Sequence, residues 1–255
     1  MRCSDSNRPR SGIRAARGLP HSPETEVSEM SALTETPVVR VLERLYASAA
    51  RDDVAVLAQS RAVGVHDAAG RRSRAEMLSN IYMAVAPEVG RLLYVLAHNR
   101  RARSIVEFGC SFGISTIHLA AALRDNDNGG RVVTTELSTR KVEAAKRNIL
   151  EAGLSDLVEI RQGDALETLR DDLPDGIDLV LLDGWKPLYL PMLKLLEARL
   201  SDGALIIADD LKISGDELVP YLSYVRKPQN GYVSTEVPLD DGLELSTLVR
   251  FRPGA

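Results

Sequence analysis

The stretch SIVEFGCSFGISTIHLAAALRD, residues 104–125, decides the fold. It opens on a short apolar run, passes through a turn carrying Gly109 and Gly113, and continues as a helix rich in Ile, Leu and Ala. A strand buried in a parallel sheet reads as such a run, and strand, turn and helix in this order make half of a βαβ unit. Working outward, RVVTTEL, LVEIRQGD, IDLVLLDG and GALIIADD follow, with amphipathic stretches such as TRKVEAAKRNILEAG between them. The alternation predicts a parallel sheet covered by helices. Beyond a helix expected near Gly215 to Tyr224, the runs GYVSTEVPL and LELSTLVRF are joined by Asp240, Asp241 and Gly242. That is a hairpin signal, so the sheet is expected to end in an antiparallel pair.

Upstream of the sheet, apolar residues at helical spacing (Val38, Val41, Leu42, Leu45, Tyr46) predict one or two helices from Pro37 to about Gln59, and a further pair from Ser73 to Asn99. These form an N-terminal helical cap, residues 36–99, on a single domain spanning 36–255. Residues 1–35 are rich in Arg, Ser and Pro without apolar periodicity, and are expected to be a disordered tail. Met30 offers an ordinary start, so residues 1–29 are open to being an extension foreign to the native protein. The basic beginning is not followed by the apolar stretch of a secretory signal.

Composition narrows the function. With 255 residues, 44% hydrophobic and 27% charged, the chain is long enough for one full α/β core. No apolar run approaches the roughly 20 residues that cross a bilayer, so no membrane association is expected. A net charge of −4 gives no general attraction to nucleic acid. The two cysteines, Cys3 and Cys110, build neither a disulfide framework nor a thiolate metal site, which suits a reducing, cytoplasmic setting.

Ligands of an open parallel sheet sit at the carboxyl ends of its strands. There the chain places Glu107-Phe-Gly109-Cys-Ser111-Phe-Gly113-Ile-Ser115. Glycines admit a ligand close to the backbone, and the helix start favours an anionic group such as a carboxylate. The G-x-G-x-x-G spacing of dinucleotide folds is absent, and Glu107 would repel a pyrophosphate but suit an ammonium. S-adenosylmethionine carries both the ammonium and the carboxylate. Glu136 is placed for a ribose diol, and Asp164 with Ala165 for an adenine edge; singly, each reads as well as a solvated strand end. Asp183, Asp209 and Asp210 end two further strands and are expected to converge. Hard oxygens so gathered suit Mg²⁺ or a similar cation, although an Asp in these positions also caps helices.

The segments LLDGWKPLY (181–189) and IIADDL (206–211), with the acidic glycine turn and the closing Asp241-Gly-Leu-Glu hairpin, resemble the cation-dependent O-methyltransferases, the catechol and caffeoyl-CoA types among them. The resemblance covers about residues 80–251. It implies a Rossmann-like methyltransferase fold, a mostly parallel seven-stranded sheet with helices on both faces. It further implies a metal held by Asp183, Asp209 and Asp210, with two vicinal substrate hydroxyls completing the coordination and Lys186 as general base. Met83 and Val85 would lie beside the cofactor, with Glu107, Gly109, Ser111, Gly113 and Ser115 around its methionine part. Glu136 would lie on the ribose and Trp185 against the adenine, with Leu137 and Asp183 also among the cofactor-binding residues. The implied acceptor is a small catechol-like molecule, and a homodimer through the N-terminal helices and terminal hairpin is open.

Two departures stand out. The family's Asp-Asn pair is Asp209-Asp210 here, which leaves the ion's identity open. Gly184 stands where the catechol enzyme has a His, so one pocket wall is expected to lack a side chain. Two other readings stay in view: a metal-independent methyltransferase acting on a sugar, amine or natural-product hydroxyl, and a nucleotide-binding module without catalysis. A dinucleotide-dependent dehydrogenase is weaker, for want of a hydride-site pairing.

Overall fold

The computed structural model describes residues 31–60 and 68–249, and for 52–60 and 68 the backbone alone. Cys3 and almost all of the expected tail lie outside the described residues. The tail's last positions correct the expectation. Ala32–Thr34 form a 3₁₀ turn, Ala32 is buried, and its N–H donates to both oxygens of Asp125, at 2.9 and 3.0 Å. A small side chain that fits the core and a carboxylate waiting for the N–H order this segment despite its polar composition.

Two helices of the cap follow, α1 (Thr36–Ser60) as one continuous helix and α2 (Ala68–Met77), which starts earlier than its apolar pattern suggests. The third, α3 (Pro87–Asn99), has Pro at its first position, where a missing N–H costs nothing. The core then alternates: β1 (Ser104–Phe108), α4 (Ile114–Asn126), β2 (Arg131–Glu136), α5 (Thr139–Glu151), β3 (Val158–Gln162), α6 (Ala165–Thr168), β4 (Ile177–Leu182), α7 (Tyr189–Leu196), β5 (Leu200–Ala208), α8 (Val219–Val225) and the strands β6 (Tyr232–Val237) and β7 (Leu243–Leu248). The seven-stranded sheet runs β3-β2-β1-β4-β5-β7-β6. All neighbours are parallel except those of β7, which pairs antiparallel with β5 and β6.

Alternation along each strand divides the core between two faces. Ile105 joins Val89, Leu93, Ile117 and Leu119 under α3 and α4, whereas Val106 and Phe108 join Met192, Leu193 and Tyr221 under α7 and α8. Helix α4 is buried along nearly its whole length, which its Ile, Leu and Ala content permits. Among the described residues no helix is long and apolar enough to cross a membrane.

Gly90 lets α3 close on α4: a Cβ there would lie 2.6 Å from the His118 ring. His118, 3% exposed, has Nδ1 2.9 Å from the Ile114 carbonyl, and burial pushes its imidazole down to about 4. A free imidazole titrates near 6.5. The unfolded chain therefore takes up this proton first, and stability that is full above about pH 6.5 falls as the pH drops toward 4. The loss is ~3 kcal/mol. The stability difference between wild type and His118→Leu is expected to shift by this amount in favour of the variant as the pH falls from about 6.5 to 4, a comparison in which the buried acids common to both proteins cancel; a difference that does not change with pH would remove His118 as the cause.

Candidate active site

The sheet reverses its winding between β1 and β4, and hydrogen bonds that continue past the strand ends align the loops there. Asp183 N–H donates to the Phe108 carbonyl at 2.9 Å, Cys110 N–H to Thr135 at 2.9 Å, Gly163 N–H to Glu136 at 2.9 Å and Asp209 N–H to Leu182 at 3.0 Å. The residues read as strand-end acids are thereby brought to one edge of the sheet. A cavity of about 490 Å³ opens along it.

Most of the expected site residues line this cavity. Gly109, Ser111 and Ser115 come from the glycine turn and the start of α4, with Met83 and Val85 opposite them from the loop before α3. Glu136, Leu137, Asp164 and Ala165 form the wall beyond β2 and β3, and Asp183, Trp185, Lys186 and Asp210 the wall beyond β4 and β5. Gly109 is required twice over. Its φ is +107°, and a Cβ would sit 2.3 Å from the Asp183 carbonyl oxygen. Met83, Ser111 and Asp210 adopt the left-handed backbone with φ of 45°, 47° and 69°, an uncommon conformation for a residue with a side chain, which Arg101, Asp127, Asp172 and Asp240 adopt away from the cavity. Ser111 Oγ donates to the Tyr82 carbonyl at 2.6 Å, and the Tyr82 and Phe112 rings stack at 4.0 Å, so the cap loop is fastened to the turn.

Three expected residues do not reach the cavity wall: Glu107, Gly113 and Asp209. Glu107 is fully buried and accepts from Ser115 Oγ at 2.6 Å and Thr116 Oγ1 at 2.5 Å. Burial raises its pKa while these hydroxyls hold it down, so it braces the first turn of α4 from beneath. Glu136 accepts from the N–H groups of Ser111 at 2.9 Å and of Leu137 and Ser138 at 2.8 Å, tying the glycine turn to the loop after β2. The wall at Gly184, expected to lack a side chain, is filled: a Cβ there would lie 2.6 Å from the Phe108 ring, which occupies the space.

At the far end, Lys186 Nζ donates to Asp210 Oδ2 at 2.6 Å and to the Tyr189 hydroxyl at 2.8 Å, and lies 3.9 Å from Asp183 Oδ1. Tyr189 is buried and donates in turn to the Asp209 carbonyl at 3.3 Å. Burial, then the neighbouring Asp209, raises the Asp183 pKa well above the carboxylate range, and burial followed by Asp210 raises that of Asp209. The three acids do not, however, close around one point. Among the described residues no group of three His, Cys, Asp or Glu is placed to hold a metal ion, and Asp210 pairs its carboxylate with Lys186. The chemistry of the donors fits a hard cation, since a cation would relieve the repulsion among buried carboxylates.

Sequence reasoning missed Arg71 and Arg74 of α2, Phe108, Lys141 and Ile213, all of which line the cavity. Arg74 lies over the Trp185 ring at 5.3 Å, and Lys141, buried, over Phe112 at 5.8 Å. The place of Lys141 on α5, next to Val142 and four residues before Ala145 on the apolar face, was a usable signal; the arginines of a polar helix offered none.

A seven-stranded sheet of this order, with a glycine turn and acids at the ends of its parallel strands, defines a Rossmann-like methyltransferase. The comparisons agree. The family model described as a methyltransferase domain matches residues 106–211. The chain is 34% identical over 139 residues to a catechol O-methyltransferase of Niastella koreensis, covering 53% of this chain and 62% of the relative. It is 35% identical over 129 residues to the catechol O-methyltransferase of Mycobacterium tuberculosis, covering 51% and 57%. The O-methyltransferase TomG from Streptomyces achromogenes, solved in complex with SAM, superposes with a TM-score of 0.61 at 25% identity, covering 79% of this chain and 98% of that one. Over residues 106–211 the chain carries this methyltransferase domain, and the relatives it is similar to are O-methyltransferases. The chain spans less than two thirds of the length of these two curated relatives.

Proposed function

We propose that this chain transfers the methyl group of S-adenosylmethionine to a hydroxyl of a small, catechol-like acceptor. The observation that carries this reading is the meeting of the glycine turn at Gly109 and the Lys186–Asp210 pair in a single cavity. The start of α4 and the glycine turn take the methionine carboxylate, with the nucleoside lying toward Leu137, Ala165 and Trp185. The acceptor hydroxyl lies at the Lys186 end, between apolar side chains such as Met83 and Ile213. As the oxygen attacks, its bond to the methyl carbon forms while the carbon–sulfur bond breaks. Sulfur keeps the electron pair as a neutral thioether, and the hydroxyl proton passes to the lone pair of Lys186 Nζ, which acts here as the neutral amine with its two N–H groups on Asp210 and Tyr189. Tyr189 and Asp210 hold that nitrogen in place. Bringing two bound reactants into line supplies much of the acceleration.

A divalent cation belongs to the same reading, and Asp183, Asp209 and Asp210 would hold it once the side chains of Asp209 and Asp210 turn toward a common point that they do not share in the arrangement described. When bound, it would lower the pKa of the acceptor hydroxyl. The second reading, methyl transfer without a metal, is favoured by one observation: Lys186 already neutralises Asp210 in the arrangement described. The test is methyl transfer to a panel of catechols with Mg²⁺ and with a chelator. Loss of at least about 100-fold on chelation, restored by added metal and weakened in Asp209→Asn, supports the cation. Activity that survives the chelator supports the metal-independent reading.

A further inference from the structure

Helix α2 reaches three loops at the strand ends. Arg71 Nη2 lies 2.6 Å from Asp164 Oδ2, with the two side chains 14% and 10% exposed. Arg74 covers the Trp185 ring, and Glu76 Oε1 accepts from the Thr139 N–H at 3.4 Å. Residues 71, 74, 75 and 78 follow helical spacing, which sets them on one face, and all four line the cavity. That face closes the end of the cavity bordered by Leu137, Asp164, Ala165 and Trp185.

Asp164 is engaged at both oxygens. Oδ1 accepts the Leu166 N–H at 3.1 Å, capping α6, and Oδ2 accepts from Arg71. Its carboxylate is thus held by the cap from one side and by its own loop from the other. A short charge-assisted bond between two largely buried groups fixes both partners, and loss of one leaves the other uncompensated at the cavity wall.

We propose that Arg71 is a positioning residue of the cofactor site: by pinning Asp164 it holds α2 as a wall over the nucleoside and sets how long the cofactor and its demethylated product remain bound. The inference rests on the cofactor reading above. Weakening such a wall speeds departure more than it slows arrival. Arg71 touches no reacting atom, so its effect falls on retention.

Trp185 is the sole tryptophan of the sequence and lies under Arg74, so its fluorescence reports the event directly. Dissociation of S-adenosylhomocysteine is followed by stopped flow in the full chain and in Arg71→Met, Arg71→Lys, Asp164→Asn and the Arg71→Met/Asp164→Asn double variant, with thermal unfolding recorded for each. Arg71→Met is expected to release the product at least about tenfold faster and, because Asp164 is left without its partner, to lower the unfolding temperature, a loss of stability that Arg71→Lys reverses together with the retention. Arg71→Lys is expected to restore most of the retention, since the pair is a single N···O contact. The double variant is expected to be no worse than the Met variant alone, as for two partners of one interaction. Should the Met variant fail to fold, Asp164→Asn, which keeps an oxygen for Leu166, and Arg71→Lys carry the comparison. Wild-type and Arg71→Met release at the same rate, or losses that simply add in the double variant, would overturn the inference and leave the cofactor reading intact. A wild-type chain that does not bind S-adenosylhomocysteine at all would overturn the cofactor reading, and the inference with it.

Discussion

Gly109→Ala is expected to reduce S-adenosylhomocysteine affinity by at least about 100-fold, the equivalent of ~2.7 kcal/mol, and to lower the unfolding temperature. The new methyl would lie 2.3 Å from the Asp183 carbonyl oxygen and 2.8 Å from its carbon, both backbone atoms, so no side chain can swing aside. The ends of β1 and β4 must part, and the 2.9 Å bond from Asp183 N–H to Phe108 goes with them. A φ of +107° adds strain of about 1–3 kcal/mol for any residue but glycine. Gly129→Ala separates the two effects: its φ is +72°, but no atom lies within 4 Å of the added carbon. Calorimetric titration and thermal unfolding of both variants are expected to show the binding loss in Gly109→Ala alone. Near-wild-type affinity in Gly109→Ala would place the ligand away from this turn.

The second large effect is kinetic. Lys186→Met is expected to cut the methyl-transfer rate by about 10²–10⁴-fold, the contribution typical of a positioned acid or base, while changing S-adenosylhomocysteine affinity only a few-fold. The substitution keeps the length of the side chain and removes the donor that Asp210 and Tyr189 share. Rates at saturating cofactor, set beside binding measured by calorimetry, distinguish this from a general loss of structure. A parallel collapse of binding would show that Lys186 supports the fold of the site and has no separate part in the chemistry.

What sequence alone conveyed follows from where the signal was local. Strand runs, the glycine turn and the hairpin at Asp240–Gly242 are short-range patterns, and the strands formed where those patterns placed them. Acids at strand ends were legible because parallel strands deliver their ends to one edge. Glu107 was read as facing the ligand, although alternation along β1 points it with Ile105 toward α4, where Ser115 and Thr116 receive it. Period two was the available signal. The filling of the Gly184 wall by Phe108 depends on a contact between two strand ends that no spacing encodes. The arginines of α2 escaped notice for the same reason: a polar face predicts exposure, not the loop it covers. Asp210 was read with the other acids, and its partner Lys186, 24 positions away, turns it aside.

The most direct measurement is calorimetric titration of the full chain with S-adenosylmethionine, S-adenosylhomocysteine and, separately, NAD. One S-adenosyl ligand bound per chain, with NAD silent, is the predicted result and makes the cavity at the β1–β4 edge a methyl-donor site. Heat from NAD alone, or from none of the three, would contradict it.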